Sequence, residues 1–436
     1  MNPFLWILGS PPRGYEPGLE TFWPILLEGA LVSVALGLIG CWLVVRGMSL
    51  LGDALAHSVL PGIVIGFLIG GSLQSAWILA GATIMGMAAA VLVQALRDNS
   101  RVKEDASLGI VFTTLFAIGV VLINLYAGQT DLDPSCVLYG QLEYFIHTPA
   151  KIWPMAFILA GVVVLLLVFY RHLLVSTFDP QLARSMGIPA TLVHYAIMAV
   201  LSLTTVASFE AVGAILAVAL LVTPGATARL WTDQMRRMLL LAAVHAVLAT
   251  LIGYWLSHPS ILDTSASGGI SAAGFFLFLG SWLLAPRKGL ISQYRVQRRL
   301  RLTMAEENLV KAVHELTPGV SSAGQGLVTS LGVKANDVQA LLQLPLPIFH
   351  RVRHRVIGRG WAEMRGGNIS LTMAGHRRAE ALAHAHELWE QYLRREVGLA
   401  DDHLHDPAEW VEHYLDEQRL EDLRTTLEGK GHSSSG

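Results

Sequence analysis

Two residues that could bind a metal ion lie within a hydrophobic stretch near the start of the chain. Asp53 and His57 are four positions apart, so on a helix both side chains would lie on one face. An ionisable residue within a membrane span is costly and usually faces the interior of a helix bundle or a water-filled path. Because carboxylates and imidazoles bind divalent transition metals, the pair could form half of a site for such a metal. The alternative is structural: Asp53 caps a helix at the membrane surface, and His57 is a hydrogen-bonded core histidine.

Composition divides the chain of 436 residues into two regions. Of the whole sequence, 53% is hydrophobic and 15% is charged, whereas about a quarter of a typical soluble protein is charged. Residues 22–285 consist mainly of apolar blocks, and residues 287–436 are rich in Arg, Glu, Asp and His. This division predicts a membrane domain followed by a soluble domain. Cys41 lies within an apolar run, so no disulfide framework is expected, and residues 1–20 lack the features of a cleavable signal peptide.

Nine apolar segments are long enough to cross a membrane, because a helical span needs about 20 mostly apolar residues. Pro61 and Pro224 lie inside the second and the seventh segments, which makes these two the weakest. The sequence therefore predicts an all-α polytopic membrane domain. The segments lie near residues 22–45, 50–70, 75–96, 106–126, 152–170, 190–207, 210–227, 238–256 and 267–285.

The basic residues that flank the spans indicate the orientation of the domain. With nine spans they all fall on one side of the membrane, whereas the connecting residues 129–134 and 258–263 on the other side are poor in Lys and Arg. Cytoplasmic loops carry an excess of these residues. We therefore expect the N-terminus outside the cell and the C-terminal region in the cytoplasm. The expected location is the inner membrane of a bacterial cell. The basic positions are Arg46, residues 97–103, Arg171, Arg184, Arg229, Arg236, Arg237, Arg287 and Lys288.

Residues 177–189 predict a short helix on the cytoplasmic side, between two spans. Asp179 is a suitable N-cap, Pro180 suits the first helical position, and Gly187 suits the end of a helix. The alternative is an ordinary loop between helices. A short, well-capped helix in this place is what rigid coupling to another subunit requires.

A further acidic residue, Glu210, lies between two apolar runs, near the outer side of the membrane. It is either a gate residue or a simple interfacial acid. In their order and spacing, four segments resemble the permeases of manganese, zinc and iron ABC importers, over roughly residues 20–287. These segments are the Asp53/His57 stretch, residues 104–109, residues 179–187 and residues 210–224.

This resemblance implies a permease dimer, built from two copies or from two different subunits, with two cytoplasmic ATPases and an extracytoplasmic metal-binding protein. It implies that Asp53 and His57 line the metal path. It also implies that the helix with Asp179, Ala183 and Gly187 couples the permease to its ATPase. The chain has no phosphate-binding loop of the form G-x-x-x-x-G-K-[ST]. We therefore expect a transport subunit that is not itself an enzyme.

Residues 303–372 predict a winged-helix domain. Three helices are expected, near residues 304–316, 332–342 and 346–356. Two strands follow and are joined at Gly366-Gly367, a dipeptide typical of hairpin turns. The third helix lies where a helix-turn-helix motif has the helix that enters the DNA groove. Its basic face is expected to contact nucleic acid or, alternatively, a protein partner or anionic lipid. The basic residues on it are Arg351, Arg353 and Arg355.

Two further helices are predicted, at residues 373–396 and 407–426. On the second helix, Glu409, Glu412 and His413 share one face, and His386 on the first can complete a set of four ligands. Carboxylates and imidazoles together suit Mn²⁺, Fe²⁺ or Zn²⁺. Spacing alone favours the alternative, in which Glu409 belongs to a helix cap and Glu412 is a surface charge.

Residues 303–427 resemble the iron- and manganese-dependent repressors of the diphtheria-toxin-repressor class. The resemblance implies that the four residues His386, Glu409, Glu412 and His413 are metal ligands. Two ligand positions on the first helix differ from that class. Asn308 stands where the class has an acidic residue or a methionine, and Lys311 stands where it has an acidic residue. One metal site is therefore expected instead of two.

We therefore expect a permease of an ABC importer for a divalent transition metal, with Mn²⁺ or Fe²⁺ favoured over Zn²⁺, that carries a cytoplasmic metal-sensing domain. Metal is expected as substrate and as regulator, not as a catalytic cofactor. The alternative is a membrane-anchored, metal-responsive DNA-binding regulator, although DNA is the less favoured partner. The capped helix at Asp179 argues against a channel or secondary transporter. The expected divisions are a permease domain over 1–290, a linker over 291–302, the winged helix over 303–372, a helical metal-binding and dimerisation segment over 373–427 and a disordered tail over 428–436.

Overall fold

The computed structural model describes residues 19–71, 76–101, 103–127, 140, 142, 152–258, 261–262, 264–317, 332–394 and 424–425. The chain divides into two compact units, residues 1–292 and residues 293–436. Each unit has a hydrophobic core of its own. The first, here called the membrane unit, holds the apolar helices, and the second, the C-terminal unit, combines helices with a small sheet.

The described part of the membrane unit consists mainly of helices. This is the structure expected of apolar runs in a membrane, because a helix satisfies its backbone N–H and C=O groups internally where there is no water. A short π-helical turn, Ile123–Ala127, follows the fifth helix. In chain order the helices are α1 (Leu19–Arg46), α2 (Leu51–Ser58), α3 (Leu60–Gly70), α4 (Ala76–Asn99), α5 (Glu104–Leu122), α6 (Ile152–Val168), α7 (Tyr170–Phe178), α8 (Pro180–Ser185), α9 (Ala190–Trp231), α10 (Met235–Leu256) and α11 (Ala266–Leu284).

Within the described residues, eight helical segments are long and apolar enough to cross a membrane. Helices α2 and α3 together form one of them, Leu51–Gly70. Helices α6 and α7 pass the same test as a pair that is bent by 71°, which raises the number to nine. The predicted spans are therefore found at their predicted positions when the bent pair counts as one.

Helix α9 contains two spans that meet at Gly213. A straight helix of its 42 residues would be about 63 Å long, roughly twice the thickness of the hydrocarbon core of a bilayer. The chain turns at Gly213, where φ is 76° and ψ is 166°, a conformation that only glycine adopts readily. The two resulting spans are Ala190–Phe209 and Ala211–Trp231.

Glycines allow the helices of the membrane unit to approach closely. A Cβ atom at Gly40 of α1 would overlap the carbonyl group of Leu221 in α9, and one at Gly62 of α3 would overlap the backbone of Gly81 in α4. Small residues at such contacts let the backbones of membrane helices pack directly against each other. The contact at Gly62 fixes α3, and with it the adjacent α2 that carries the candidate metal ligands.

The C-terminal unit has a three-stranded antiparallel sheet in the order β1-β3-β2. Apolar side chains such as Val338, Phe349 and Ile369 form its core. Gly366 and Gly367 have φ angles of 57° and 86°, as a two-residue hairpin turn requires. The predicted winged-helix fold and its turn are confirmed. The elements are α12 (Leu290–Leu316), β1 (Val333–Lys334), α13 (Ala335–Leu342), α14 (Leu346–Gly358), β2 (Ala362–Arg365), β3 (Asn368–Leu371) and α15 (Met373–Tyr392).

The structure differs from the sequence prediction in two places. The helix predicted near residues 304–316 begins at Leu290, because residues 291–302 contain no Gly or Pro and are rich in Arg, Leu and Gln, which are good helix formers. Their role as a linker between the domains stays a prediction. Residues 333–334, predicted as helical, form β1, because Val333 pairs with Ile369 of β3. The predicted bounds of the smaller domains stay predictions, and the helix predicted at 407–426 lies almost entirely outside the described residues.

Candidate functional site

Asp53 and His57 lie on one face of α2, as their spacing predicts. Asp53 Oδ1 is 3.7 Å from His57 Nε2, and the side chains of Asp53 and His57 are 56% and 38% exposed. The structural alternative does not fit, because the N-cap of α2 is Leu50 and His57 is not in the core. The structure thus presents a carboxylate and an imidazole side by side on an open face of a membrane span.

Helix α5 supplies the aromatic surroundings of His57. The imidazole lies edge-on to the ring of Phe116, with 5.6 Å between the ring centroids, and 6.0 Å from the ring of Phe112. Four residues after His57, Pro61 has no N–H, so the carbonyl oxygen of His57 lacks the donor that a continuous helix would supply. Helix α2 accordingly ends at Ser58, with Val59 as its C-cap.

Two side chains do not complete a metal site. Among the described residues, no three His, Cys, Asp or Glu side chains come close enough together to hold a metal ion. Zinc sites in proteins have four ligands, and manganese prefers six. The open face at Asp53 therefore leaves room for ligands from water or from another subunit.

Glu210, the candidate gate, lies in helix α9, three positions before the break at Gly213. Its side chain lies outside the described part of the chain. Residue 140 comes close to the same break, because a Cβ atom at Gly140 would overlap the backbone of Val212 and Gly213. The gate role of Glu210 stays a prediction.

The short helix predicted at residues 179–187 is present as α8. The Asp179 side chain accepts hydrogen bonds from the backbone N–H groups of Gln181, at 3.1 Å, and Leu182, at 2.8 Å. At the other end, Gly187 has a φ of 74°, and Ile188 N donates to the carbonyl oxygen of Ala183 at 2.9 Å. This second pattern is the left-handed glycine stop that closes many helices. The predicted cap and stop are confirmed.

Three exposed apolar side chains lie on α8 and beside its two ends. Leu182 and Met186 are 48% and 61% exposed, and Phe178, four positions before Leu182, is exposed as well. Ala183, by contrast, is fully buried, so its methyl group packs against this chain. The coupling role that the resemblance implies for Asp179, Ala183 and Gly187 stays a prediction. The sequence analysis did not single out the exposed stripe of Phe178, Leu182 and Met186.

Arg46, at the end of α1, fixes the two helices on either side of α8. Its Nε donates to the hydroxyl of Thr177 in α7 at 3.1 Å, and its Nη1 lies 3.2 Å from Nδ1 of His194 in α9. Helix α2, which carries Asp53, begins a few residues after Arg46 in the chain. Arg46 therefore ties the end of α1 to the two helices that flank α8.

In the C-terminal unit, His386 is the only one of the four candidate ligands within the described residues. Its Nε2 is 3.0 Å from Oε1 of Glu390, one turn further along α15. Glu409, Glu412 and His413 lie outside the described residues. The sequence prediction missed Glu390, although the spacing of four between His386 and Glu390 is the same as that between Asp53 and His57. The pair supplies an imidazole and a carboxylate, the donors that a site for Mn²⁺, Fe²⁺ or Zn²⁺ needs.

Residues 19–285 match the model of the ABC 3 transport family. The chain belongs to the ABC 3 transport family. Residues 372–433 match a second model, the metal binding and dimerisation domain of the iron dependent repressor. The two resemblances inferred from the sequence are thereby confirmed, and this family member combines an ABC permease region with a repressor-like C-terminal region.

Similar proteins cover the ABC 3 region of this chain. The manganese transport system membrane protein MntD of Bacillus subtilis is 40% identical over 279 residues, which are 62% of this chain and 94% of the relative. The zinc transport system membrane protein TroD of Treponema pallidum is 35% identical over 302 residues, 67% of this chain and 81% of the relative. The solved structure of PsaBC from Streptococcus pneumoniae in complex with Fab matches with a TM-score of 0.55 and 29% identity, over 63% of this chain and 94% of that one.

The first helix of the repressor-like part of this ABC 3 protein departs from a two-ion arrangement. Asn308 and Lys311 both lie on α12, and Oδ1 of Asn308 is buried with no hydrogen-bond partner among the described residues. A lysine in place of an acid adds a positive charge where a metal ion would need a negative one. The single metal site expected from the sequence, with His386 as a ligand, stays a prediction.

The arginines predicted to contact nucleic acid have different surroundings in the ABC 3 protein. Arg351 is exposed on α14, and Arg353 lies 3.0 Å from Nδ1 of His350. Arg355, however, forms an ion pair with the fully buried Glu306 of α12, which Arg359 also approaches to 3.0 Å. Removing one partner of a buried pair is strongly destabilising, so Arg355 contributes to the fold of the unit. The contact role of the three arginines stays a prediction.

Two histidines of the C-terminal unit were not singled out from the sequence. The rings of His314 in α12 and His376 in α15 have centroids 5.7 Å apart, and both ring nitrogens of His376 are buried with no hydrogen-bond partner in the described structure. Burial lowers the pKa of His376 below its ordinary value, and the neighbouring imidazole of His314 lowers it further. The carboxylate of Glu380 acts in the opposite direction and raises the pKa of His376.

Proposed function

We propose that this chain is the permease subunit of an ABC importer for a divalent transition metal, with Mn²⁺ or Fe²⁺ favoured over Zn²⁺. The observation that carries the proposal is the Asp53/His57 pair on an open face of a span, in a member of the ABC 3 family. The relatives named for manganese and zinc support a metal as cargo. The match to an iron-dependent repressor domain supports iron or manganese.

The metal path lies between two permease subunits, of the same or of different sequence. Asp53 and His57 are half-exposed in the single chain, whereas ionisable residues in membrane spans normally face a bundle interior or a water-filled path. A second subunit against α2 would enclose this face and bring further ligands to the ion. Glu210 would then gate the outer end of the path, where an extracytoplasmic metal-binding protein delivers the ion.

ATP hydrolysis comes from a separate cytoplasmic ATPase dimer that docks on α8. The chain has no G-x-x-x-x-G-K-[ST] loop of its own. The exposed stripe of Phe178, Leu182 and Met186 offers an apolar contact surface next to the well-capped helix. This arrangement requires α8 and the C-terminal unit in the cytoplasm and the N-terminus outside, in agreement with the positive charges at the ends of the spans.

Reconstitution in proteoliposomes tests this function. The permease is expressed with candidate ATPase subunits, purified through a tag on the permease, and assayed for radioactive Mn²⁺ uptake with and without ATP. We expect an ATPase to co-purify and uptake to require ATP. Uptake at the same rate without ATP and without a bound ATPase would instead support a channel or secondary transporter.

The C-terminal unit senses metal and regulates transport. His386, Glu409, Glu412 and His413 would hold the regulatory ion, with Glu390 beside His386. A ligand shifts an equilibrium only when it binds the two states with different affinity, so the ion must favour one state of the permease and ATPase complex. The expected direction is feedback inhibition, in which excess cytoplasmic metal lowers the rate of import.

The prediction for this unit compares three proteins. Deleting residues 303–436 should leave uptake at low metal unchanged and remove the inhibition by metal on the cytoplasmic side. His386→Ala in the full chain should shift the inhibition to higher metal concentration, by about 10- to 100-fold if a ligand matters as much as its outer-shell partners do. Equal inhibition of the wild-type, deleted and His386→Ala proteins would contradict a regulatory role.

A further inference from the structure

A groove lined by arginines lies within the C-terminal unit, between the first half of α12 and helix α14. Its volume is about 480 Å³. Val296 and Leu302 supply the apolar part of its lining. The charged residues that line it are Arg295, Arg298, Arg299 and Arg355.

Most of this positive charge is not compensated by ion pairs among the residues that the structure describes. Arg295, Arg298 and Arg299 form no ion pair with any residue that the structure describes, and all three are exposed. Arg355 alone is paired, with Glu306. Residues 287–301 contain six basic residues and no acidic residue, so the groove belongs to a longer basic segment.

This basic segment comes directly after the last membrane span. Helix α11 ends at Leu284 and α12 begins at Leu290, so the chain cannot carry the start of α12 far from the membrane surface. The same stretch exposes apolar side chains: Tyr294 is 64% exposed, and Leu290 and Val296 are exposed too. Tyrosine is enriched where membrane proteins meet the lipid headgroups.

We infer that the groove and the exposed half of α12 bind the headgroups of anionic phospholipids at the membrane surface. Clusters of Lys and Arg immediately after a membrane span are attracted to anionic lipid. The planar guanidinium group fits a phosphate with two parallel hydrogen bonds, and the apolar lining residues Val296 and Leu302 suit the glycerol and upper acyl parts of a lipid. This surface goes beyond the proposed transport function and does not depend on which metal is carried.

Hydrogen–deuterium exchange of the full chain in nanodiscs tests this inference. One set of nanodiscs contains phosphatidylcholine alone, and the other contains about 30% phosphatidylglycerol, an anionic lipid. We expect the amides of residues 290–302 to exchange several-fold more slowly in the anionic nanodiscs. This protection should disappear at about 1 M NaCl, where charges are screened within about 3 Å.

Two matched variants isolate the groove. Arg298→Gln combined with Arg299→Gln should abolish the protection by anionic lipid. Arg365→Gln combined with Arg377→Gln removes the same charge from the C-terminal unit at exposed positions outside the groove and should retain it. Exchange in α14 reports whether each variant keeps its fold.

Three results would overturn the inference. The first is equal exchange of residues 290–302 in the two kinds of nanodisc. The second is equal protection by anionic lipid in both variants. The third is protection by a short DNA duplex added to phosphatidylcholine nanodiscs, without protection by phosphatidylglycerol, which would make the groove a nucleic-acid contact.

Discussion

Asp53→Ala and His57→Ala should each abolish metal uptake and leave membrane insertion intact. The two side chains lie 3.7 Å apart on an open face of α2, and each supplies a donor suited to a divalent transition metal. Loss of an outer-shell partner alone lowers metal affinity about 10- to 100-fold, and loss of a direct ligand should be at least as severe. Mn²⁺ uptake by proteoliposomes at subsaturating metal is therefore expected to fall at least about tenfold.

Ser58→Ala is the matched control for these two variants. Ser58 lies on the same helix, but it is buried and its hydroxyl donates to the carbonyl oxygen of Leu55. This change removes a polar group from α2 without touching the open face, so uptake should stay near the wild-type rate. The metal path would have to be sought elsewhere if both Asp53→Ala and His57→Ala transported Mn²⁺ normally.

Leu182→Asp and Met186→Asp should separate the permease from its ATPase. Burying a large apolar side chain contributes about 1.5–3 kcal/mol, and a buried aspartate would add an unpaired charge to the contact. Since 1.4 kcal/mol corresponds to a factor of ten in affinity, each variant should bind the ATPase at least about tenfold more weakly. Co-purification and ATP-driven uptake should fall together.

Gln181→Asp adds the same charge to the same helix at a position that is already polar and exposed. It should retain the ATPase, because the apolar stripe of Phe178, Leu182 and Met186 is intact. A Leu182→Asp protein that still co-purifies with the ATPase and keeps ATP hydrolysis coupled to uptake would show that α8 is not the docking surface.

Features that depend on near neighbours in the chain were predictable. The positions of the spans follow from runs of apolar residues, and the cap at Asp179, the stop at Gly187 and the turn at Gly366-Gly367 follow from the backbone demands of single residues. The face shared by Asp53 and His57 follows from helix geometry alone. These predictions needed no knowledge of which helices pack together.

Features that depend on distant residues were not predictable. Arg355 on α14 pairs with Glu306 on α12, and nothing in the pattern of the basic helix indicates such a partner. Ala183 is buried, but a helix as short as α8 contains too few residues for a hydrophobic period to indicate its inner face. The helical structure of the charged residues 291–302 was not predicted because hydropathy cannot distinguish an exposed helix from an irregular segment.

Helix α8 is fully formed before any partner arrives. Asp179 accepts hydrogen bonds from its first N–H groups, and backbone N–H groups around Gly187 donate to its last carbonyl groups. Arg46 holds the flanking helix α7 in place. Binding of a partner therefore carries no entropic cost for ordering a loop. This cost lowers the affinity of contacts made by disordered segments. A protein that binds here meets a preorganised surface, so a small contact area can support a stable and rapidly assembled complex.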